Sequence, residues 1–438
     1  MRMPRSRMQR RSFRSVFIVT TLSVMVLHGP ASAAGPGDPD RSFGGGDGRV
    51  FVRADGRTRV LALFEDGSGR LTLAAAIGDP LRRGQALIAR RLADGSPDPA
   101  YVGGGHRVLD PTPGEDELFA AARTPSGGMV LLARSGRDGR FSLTRVGPDG
   151  RPDRTFGGDG TIVDRFGSRL FWGSLAVRPD GRILVAGITL AGARTPMRRY
   201  RTDGTLDASF AERGRLSVQG VQVESILLRA DGRFVVVGPD SGVPGGPFVA
   251  ARQYSAGGDA DPDFGDDGLA TLLVDPRTPS VIGIGRASLD HAGRLIVPGV
   301  LYDPQRDRSD AMVAVMNRDG STHRAFSGNG WTRLDLGRSD AFNAAIRLPD
   351  GRILVVGGTA DALQRDWMDT PGAVLAAVYR ADGTPDPSFG DAGIALTRID
   401  RPGGHALATT LLTAGTTYTI GGTGGGSGLV ARFFLLPR

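Results

Sequence analysis

Five aspartates crowd one stretch of the chain: Asp259, Asp261, Asp263, Asp266 and Asp267. Carboxylates at that spacing are what a calcium loop presents to a hard cation, which takes oxygen ligands. The pattern departs from an EF-hand, however. Counted from Asp259, glycine falls at the seventh position rather than the sixth, and Ala270 stands where a glutamate should close the loop. The expected reading is an acidic copy of a turn that recurs along the chain. No cofactor is predicted, with calcium at these aspartates the one exception left open. Gly283-Ile284-Gly285-Arg286-Ala287-Ser288 opens like a dinucleotide fingerprint but lacks the third glycine and a following helix, and reads as a strand carrying glycines. No serine sits in a G-x-S-x-G elbow. Beyond residue 33 the histidines are His106, His291, His323 and His405; their spacing matches no metal site, and surface turns are expected for them. No catalytic or metal-binding residue is therefore predicted.

Two absences narrow the chemistry further. All 54 basic residues are arginine, and without lysine there is neither a P-loop cation nor Schiff-base chemistry. There is no cysteine, which removes thiolate nucleophiles, Cys-ligated metals and disulfides. The formal charge of +8 suggests nucleic acid until it is located. Six arginines and no acid lie in residues 1–33, leaving an excess of only two positive charges over the rest of the chain. That is no electrostatic footprint for a nucleic-acid partner.

The same N-terminal stretch reads as a signal peptide. Arginines run up to Arg14, residues 16–27 are apolar, and Ala31-Ser32-Ala33 is a small-x-small cleavage site. Arg10-Arg11-Ser12-Phe13 resembles the twin-arginine export motif. The apolar stretch is shorter than the roughly 20 residues a bilayer span needs, and no later segment is apolar enough for an integral span. The expectation is an exported chain, secreted or held in the cell envelope, with a signal peptide over 1–33 and one domain over 34–438.

What must position any functional residue is a repeat. The phrase Asp149-Gly150-Arg151-Pro152-Asp153-Arg154-Thr155-Phe156-Gly157-Gly158-Asp159-Gly160 returns along the chain with its aromatic at Phe43, Tyr101, Phe156, Phe210, Phe264, Phe326 and Phe389, at intervals of 54 to 63 residues. A second phrase interleaves with it. Leu175-Ala176-Val177-Arg178-Pro179-Asp180-Gly181-Arg182-Ile183-Leu184-Val185-Ala186-Gly187 has close copies at 226–238 and 345–357, and looser ones near Gly67, Gly127, Gly293 and Gly415. Two β-branched runs joined by Asp-Gly form a hairpin. A third run precedes each aromatic phrase and a fourth follows it, which makes four short strands per repeat: a propeller blade. The C-terminus supplies a hairpin and a third strand, while residues 37–52 supply the missing aromatic phrase and fourth strand. The predicted fold is all-β, a seven-bladed β-propeller closed by strands from both ends of the chain, which leaves no open sheet edge.

The two phrases resemble those of bacterial delta-60 repeat proteins, whose units carry "LAVQPDGKIVVAG" and "LDxSFGxxG" patterns. The resemblance covers essentially all of 34–438, departing at Val102, at Ala211 and in the degenerate hairpins of three blades. It implies a β-propeller found in exported bacterial proteins, and little about activity.

A feature repeated seven times is scaffold, so candidate functional residues are those that occur once. The loops between second and third strands, 78–85, 189–197, 239–247, 301–311 and 359–373, differ in every repeat and hold Arg82, Arg194, Arg306, Arg308 and Trp367. Arginine and tryptophan on loops above a rigid scaffold are what binding surfaces use. The expected function is a non-catalytic binding scaffold, monomeric, for an extracellular protein or a glycan. The rival is a propeller enzyme of lyase or lactonase type with a metal in its central tunnel.

Overall fold

The computed structural model describes residues 34–436, apart from 79–84, 111, 113–115, 137–138, 190–193, 243–245, 247, 275–279, 362–371 and 400–405. Over these residues the chain is a seven-bladed β-propeller. Blade 3 shows the plan: Leu170–Val177, Ile183–Thr189, Arg194–Tyr200 and Arg215–Gln219 pair antiparallel in that order, innermost first. The inner strands of the other blades are Thr58–Glu65, Asp116–Arg123, Ser225–Leu228, Ser280–Ile284, Ser339–Arg347 and Ala406–Ala414. In blade 5 the inner strand breaks, and Ser288–Leu289 resumes the pairing. The ring closes as expected. Arg49–Val52 pairs with Ser427–Phe434 in the register Arg49↔Ala431 to Val52↔Gly428, completing blade 7.

The repeated phrases earn their residue types from this geometry. In the blade 3 hairpin, Arg178 N–H donates to Arg182 O at 2.8 Å, and Asp180 Oδ1 accepts from Arg182 N–H at 3.0 Å. This is the local side-chain bond for which aspartate suits turns. Blade 1 differs slightly from the expectation: its left-handed glycine is Gly69, two residues beyond Gly67.

The aromatic of each first phrase is buried between its own blade and the next. All seven are at most 1% exposed. Phe210 packs beneath the following copy of the turn, where a Cβ on Gly258 would lie 2.8 Å from its ring. Only glycine lets the backbone approach that closely at φ +101°. The residue after the aromatic ties the blades together through its backbone: Gly157 N–H donates to Asp203 O at 2.9 Å, and Ala211 N–H to Gly257 O at 2.7 Å. Ala211 pays for this with φ +40°. The β-branched Val102 does not take a positive φ; there the turn is rebuilt over Val102–Gly105, with Gly103 and Gly104 left-handed instead.

An arginine of the third strand completes the clasp in several blades. Arg199 Nε donates to Asp207 Oδ2 at 2.8 Å, its guanidinium lies 4.6 Å from the Phe210 ring centroid, and it also donates to Ala256 O of the next blade. Arg90 and Arg145 repeat the arrangement with Asp98 and Tyr101, and with Asp153 and Phe156. Burial pushes the Asp207 carboxyl up, but hydrogen bonds from Ser209 and the Arg199 pair outweigh it and hold it near 2. Seven apolar clusters, each shared by two neighbouring blades, form the core.

Candidate functional site: the axial channel

In six of the seven blades the inner strand pairs irregularly with the second strand, while in blade 4 Ser225–Leu228 pairs without a shift. Register shifts interrupt the pairing between Val60 and Ala62, Leu118 and Ala120, Leu170 and Trp172, Val281 and Gly283, Phe342 and Ala344, and Ala408 and Thr410. These are β-bulges, which re-aim side chains. The glycine closing the hairpin phrase makes room for them: a Cβ on Gly357 would stand 1.9 Å from Ala341 O. Leu61, Phe119, Trp172, Asn343 and Thr409, at or beside the bulges, line a cavity of about 360 Å³ on the propeller axis.

Inner-strand side chains also fasten neighbours around this cavity. Ser225 Oγ donates to Gly285 O at 3.2 Å, Asn343 Nδ2 to Ala408 O at 3.0 Å, and Thr409 Oγ1 to Val60 O. Arg286 reaches across it, from blade 5 to the carbonyl of Leu61 in blade 1. In the chain that is 225 residues away. The stretch 283–288 is strand only at its two ends, and the break over 285–287 delivers the arginine that spans the channel.

The electrostatics of the lining are unbalanced. Arg59 and Arg286 both line the channel, and among the described residues neither has a carboxylate at ion-pair distance. Desolvation and the neighbouring Arg59 lower the Arg286 guanidinium to about 10, and desolvation lowers Arg59 too, against the pull of Glu117. Glu117 itself is engaged by Arg134 at 2.9 Å. The one carboxylate among the lining residues is Glu224, half-buried by surface area because it faces the lumen but hemmed in by protein atoms. Burial raises it to about 7, although its Oε2 accepts from Ile284 N–H at 2.7 Å. Trp172, 38% exposed, and Phe119 form an aromatic wall with ring centroids 6.0 Å apart. The lining runs out to Ser309, Ser339 and Thr359, at strand ends on the face that carries the loops between second and third strands.

The loop residues singled out from the sequence are not assembled into one site. Arg82 and Trp367 lie outside the described residues. Arg194 is exposed at the start of the third strand of blade 3, with its guanidinium 3.1 Å from the Gln219 amide oxygen in the orientation that satisfies both groups. Arg306 is spent on the protein itself, donating to Asp303 at 2.7 Å, Asp310 at 2.9 Å and Asp335 at 2.6 Å. Arg308 donates to Gly337 O. In the acidic turn, Asp261 accepts from Gln253 Nε2 and from Asp263 N–H, and Asp259 accepts from Ser255 Oγ, so these carboxylates serve the turn. His106 and His291 are exposed; His323 is half-buried with Nδ1 2.7 Å from Asn317 Oδ1, and His405 lies outside the described residues. Sequence reasoning missed Arg59, Trp172, Glu224 and Arg286. They lie seven to nine residues before the hairpin glycines Gly67, Gly181, Gly232 and Gly293, and because that offset varies from repeat to repeat no fixed spacing marks them.

Residues 178–210, one unit from hairpin turn to buried aromatic, match the family described as a domain of unknown function (DUF5122) beta-propeller. Among curated protein sequences none matches. Solved structures with a similar fold include YCF48 from Cyanidioschyzon merolae, at 10% identity, covering 88% of this chain and 98% of that one, with a TM-score of 0.44. The BBS1N structure in complex with ARL6DN matches at 12% identity, 89% and 97% coverage and a TM-score of 0.46. The polysaccharide lyase Uly1 matches at 12% identity, 88% and 91% coverage and a TM-score of 0.41. Among the described residues no helix is long and apolar enough to cross a membrane. The chain is a seven-bladed β-propeller whose DUF5122 match is confined to one repeat.

Proposed function

We propose that this protein is a non-catalytic binding propeller whose axial channel takes a small anionic ligand, such as a carboxylate-bearing sugar. The carrying observation is the pair of channel-lining guanidiniums, Arg59 and Arg286, neither of which has a carboxylate at ion-pair distance among the described residues. An anion of bidentate geometry is the natural partner for such a group. Trp172 and Phe119 offer a face for the ligand's apolar or ring side, while the lining hydroxyls of Ser309 and Ser339, which have no hydrogen-bond partner among the described residues, bring hydrogen-bonding capacity. The donor set favours binding over the alternative of an enzyme: a two-carboxylate mechanism or a tunnel metal needs several convergent acids or histidines, and the described lining holds Glu224 alone.

The test is a titration of the full domain with sulfate, phosphate and a uronic acid, each beside a neutral analogue, followed by melting temperature and Trp172 fluorescence. An anion is expected to stabilise the wild type. Arg286→Met is expected to bind it about 10- to 100-fold more weakly, the worth of one charged hydrogen bond. It should do so without loss of stability, because it removes a desolvated charge that has no carboxylate at ion-pair distance among the described residues. Equal stabilisation by neutral analogues, or unchanged binding by Arg286→Met, would overturn the reading.

Two finer assignments accompany it. The repeat is of the delta-60 kind, supported by its two interleaved phrases. Residues 1–33 are a signal peptide, supported by the basic, apolar and small-residue segments in order; exported material is expected to begin near Ala34, and N-terminal sequencing that returned Met1 would count against export.

A further inference from the structure

At the edge of the channel lining, beside Ser309, Ser339 and Thr359, three carboxylates converge between blades 5 and 6. Asp310 lies in the third strand of blade 5, Asp335 just beyond its outer strand, and Asp340 in the inner strand of blade 6. Each offers an oxygen within 4.8 Å of those of the other two. Asp310 and Asp340 are 1% and 0% exposed. Arg306 and Arg333 hold one side of the cluster, both reaching Asp310 Oδ2. Arg306 and Arg333 pair with Asp303, Asp310 and Asp335, and Asp340 adds a fourth carboxylate with no ion pair to either, so the carboxylates outnumber these two guanidiniums.

The contacts orient the carboxylates and leave particular atoms over. Asp340 Oδ2 accepts from Leu336 N–H at 2.8 Å, and Asp335 Oδ1 from Gly337 N–H at 2.8 Å. Asp310 Oδ1 and Asp340 Oδ1 are buried without a hydrogen-bond partner. An uncharged group outside the acidic cluster points the same way. Thr359 stands opposite Asp340 in register on the adjacent strand, is 2% exposed, and turns its hydroxyl to the Asp340 carboxyl without completing a hydrogen bond. Buried polar atoms are almost always hydrogen-bonded or coordinated.

We propose that this is a site for a hard divalent cation of calcium type, held by Oδ1 of Asp310 and Asp340, an oxygen of Asp335 and the Thr359 hydroxyl. Water completes the shell on the exposed Asp335 side. Oxygen-only donors select calcium, magnesium or manganese over softer ions, and the irregular mixture of strand and loop ligands suits calcium's flexible coordination. The cation offsets the excess negative charge while Arg306 and Arg333 keep the outer oxygens in place. The site borders the channel through Thr359 but shares neither Arg59 nor Arg286 with the anion reading, and it differs from the acidic turn at Asp259–267. The competing way to satisfy the two oxygens is a proton on Asp340, whose carboxyl burial pushes up to about 6.

The experiment uses the whole domain, stripped with a chelator at neutral pH and titrated with calcium, magnesium or manganese chloride while melting is followed. Calcium at up to millimolar concentration is expected to raise the melting temperature of the wild type. Asp340→Asn, which mimics the protonated acid, is expected to melt at or above the metal-free wild type and to ignore calcium. Thr359→Val is expected to respond with several-fold weaker apparent affinity; it guards against a folding defect in the first variant. A wild type indifferent to all three cations, or a calcium shift that Asp340→Asn retains in full, would overturn the site and leave the shared proton as the explanation.

Discussion

A chain that starts at Ala54 is expected to aggregate or to lose cooperative folding, while one that starts at Ala34 folds. Residues 34–53 are the outer strand and aromatic phrase of the last blade. Removing them strips Arg49–Val52 from Ser427–Phe434 and leaves that strand with a row of unpaired amides and carbonyls. An open edge of this kind templates association with other chains. The loss extends to the core, because Phe43 and Val52 are buried in the cluster between blades 7 and 1. It also breaks the backbone bonds Gly37 N–H to Phe434 O at 2.7 Å and Gly390 N–H to Pro36 O at 3.1 Å, which tie the segment to blades 7 and 6. A peptide of residues 34–53 added in trans should restore part of the stability by strand addition. Size-exclusion chromatography and thermal melting check the result. A 54–438 chain that stays monodisperse with an unchanged melt would show that the terminal strand does not close the ring.

Phe210→Ala is expected to destabilise the domain by about 3–5 kcal/mol, the usual cost of truncating a fully buried phenylalanine. Phe210 is 0% exposed, sits 6.1 Å from the Phe234 ring, and lies under the Arg199 guanidinium and the Gly258 turn. Its removal opens a cavity between blades 3 and 4 and loosens the clasp on Asp207. Phe171→Ala is the control, since that ring is 45% exposed and should cost about 0.5 kcal/mol or less. Denaturant unfolding of both variants checks the contrast. If Phe210→Ala cost as little as Phe171→Ala, the repeated aromatic would not be a core residue.

Much of the scaffold was legible because its determinants are local or repeated. The Asp-Gly hairpin follows from one residue's tolerance of positive φ and its neighbour's short carboxylate, and the same phrase returning in every repeat left little ambiguity about blades. Complementary half-blades at the two ends implied closure. The clasp was half visible: Asp98, Asp153 and Asp207 stood out in the phrase, but their arginine partners lie eight residues earlier, on another strand. The candidate loop residues show the opposite limit. Arg306 is as basic and as singular as a binding residue should be, yet Asp303, Asp310 and Asp335 already surround it.

By itself the sequence determined the all-β class, the number of blades and the way the ring closes, since hairpin turns and strand alternation depend on residues within a few positions of each other. Only the tertiary structure decided where the chemistry sits. A bulge of one residue rotates a side chain from blade to axis, and no local pattern records which way it turns. Arg59, Glu224 and Arg286 meet only because the ring brings blades 1, 4 and 5 to one axis. The same closure sets Asp310 and Asp335 of blade 5 beside Asp340 of blade 6. Charge and burial at these places depend on neighbours that are distant in the chain, so the functional surface exists only once the ring has formed.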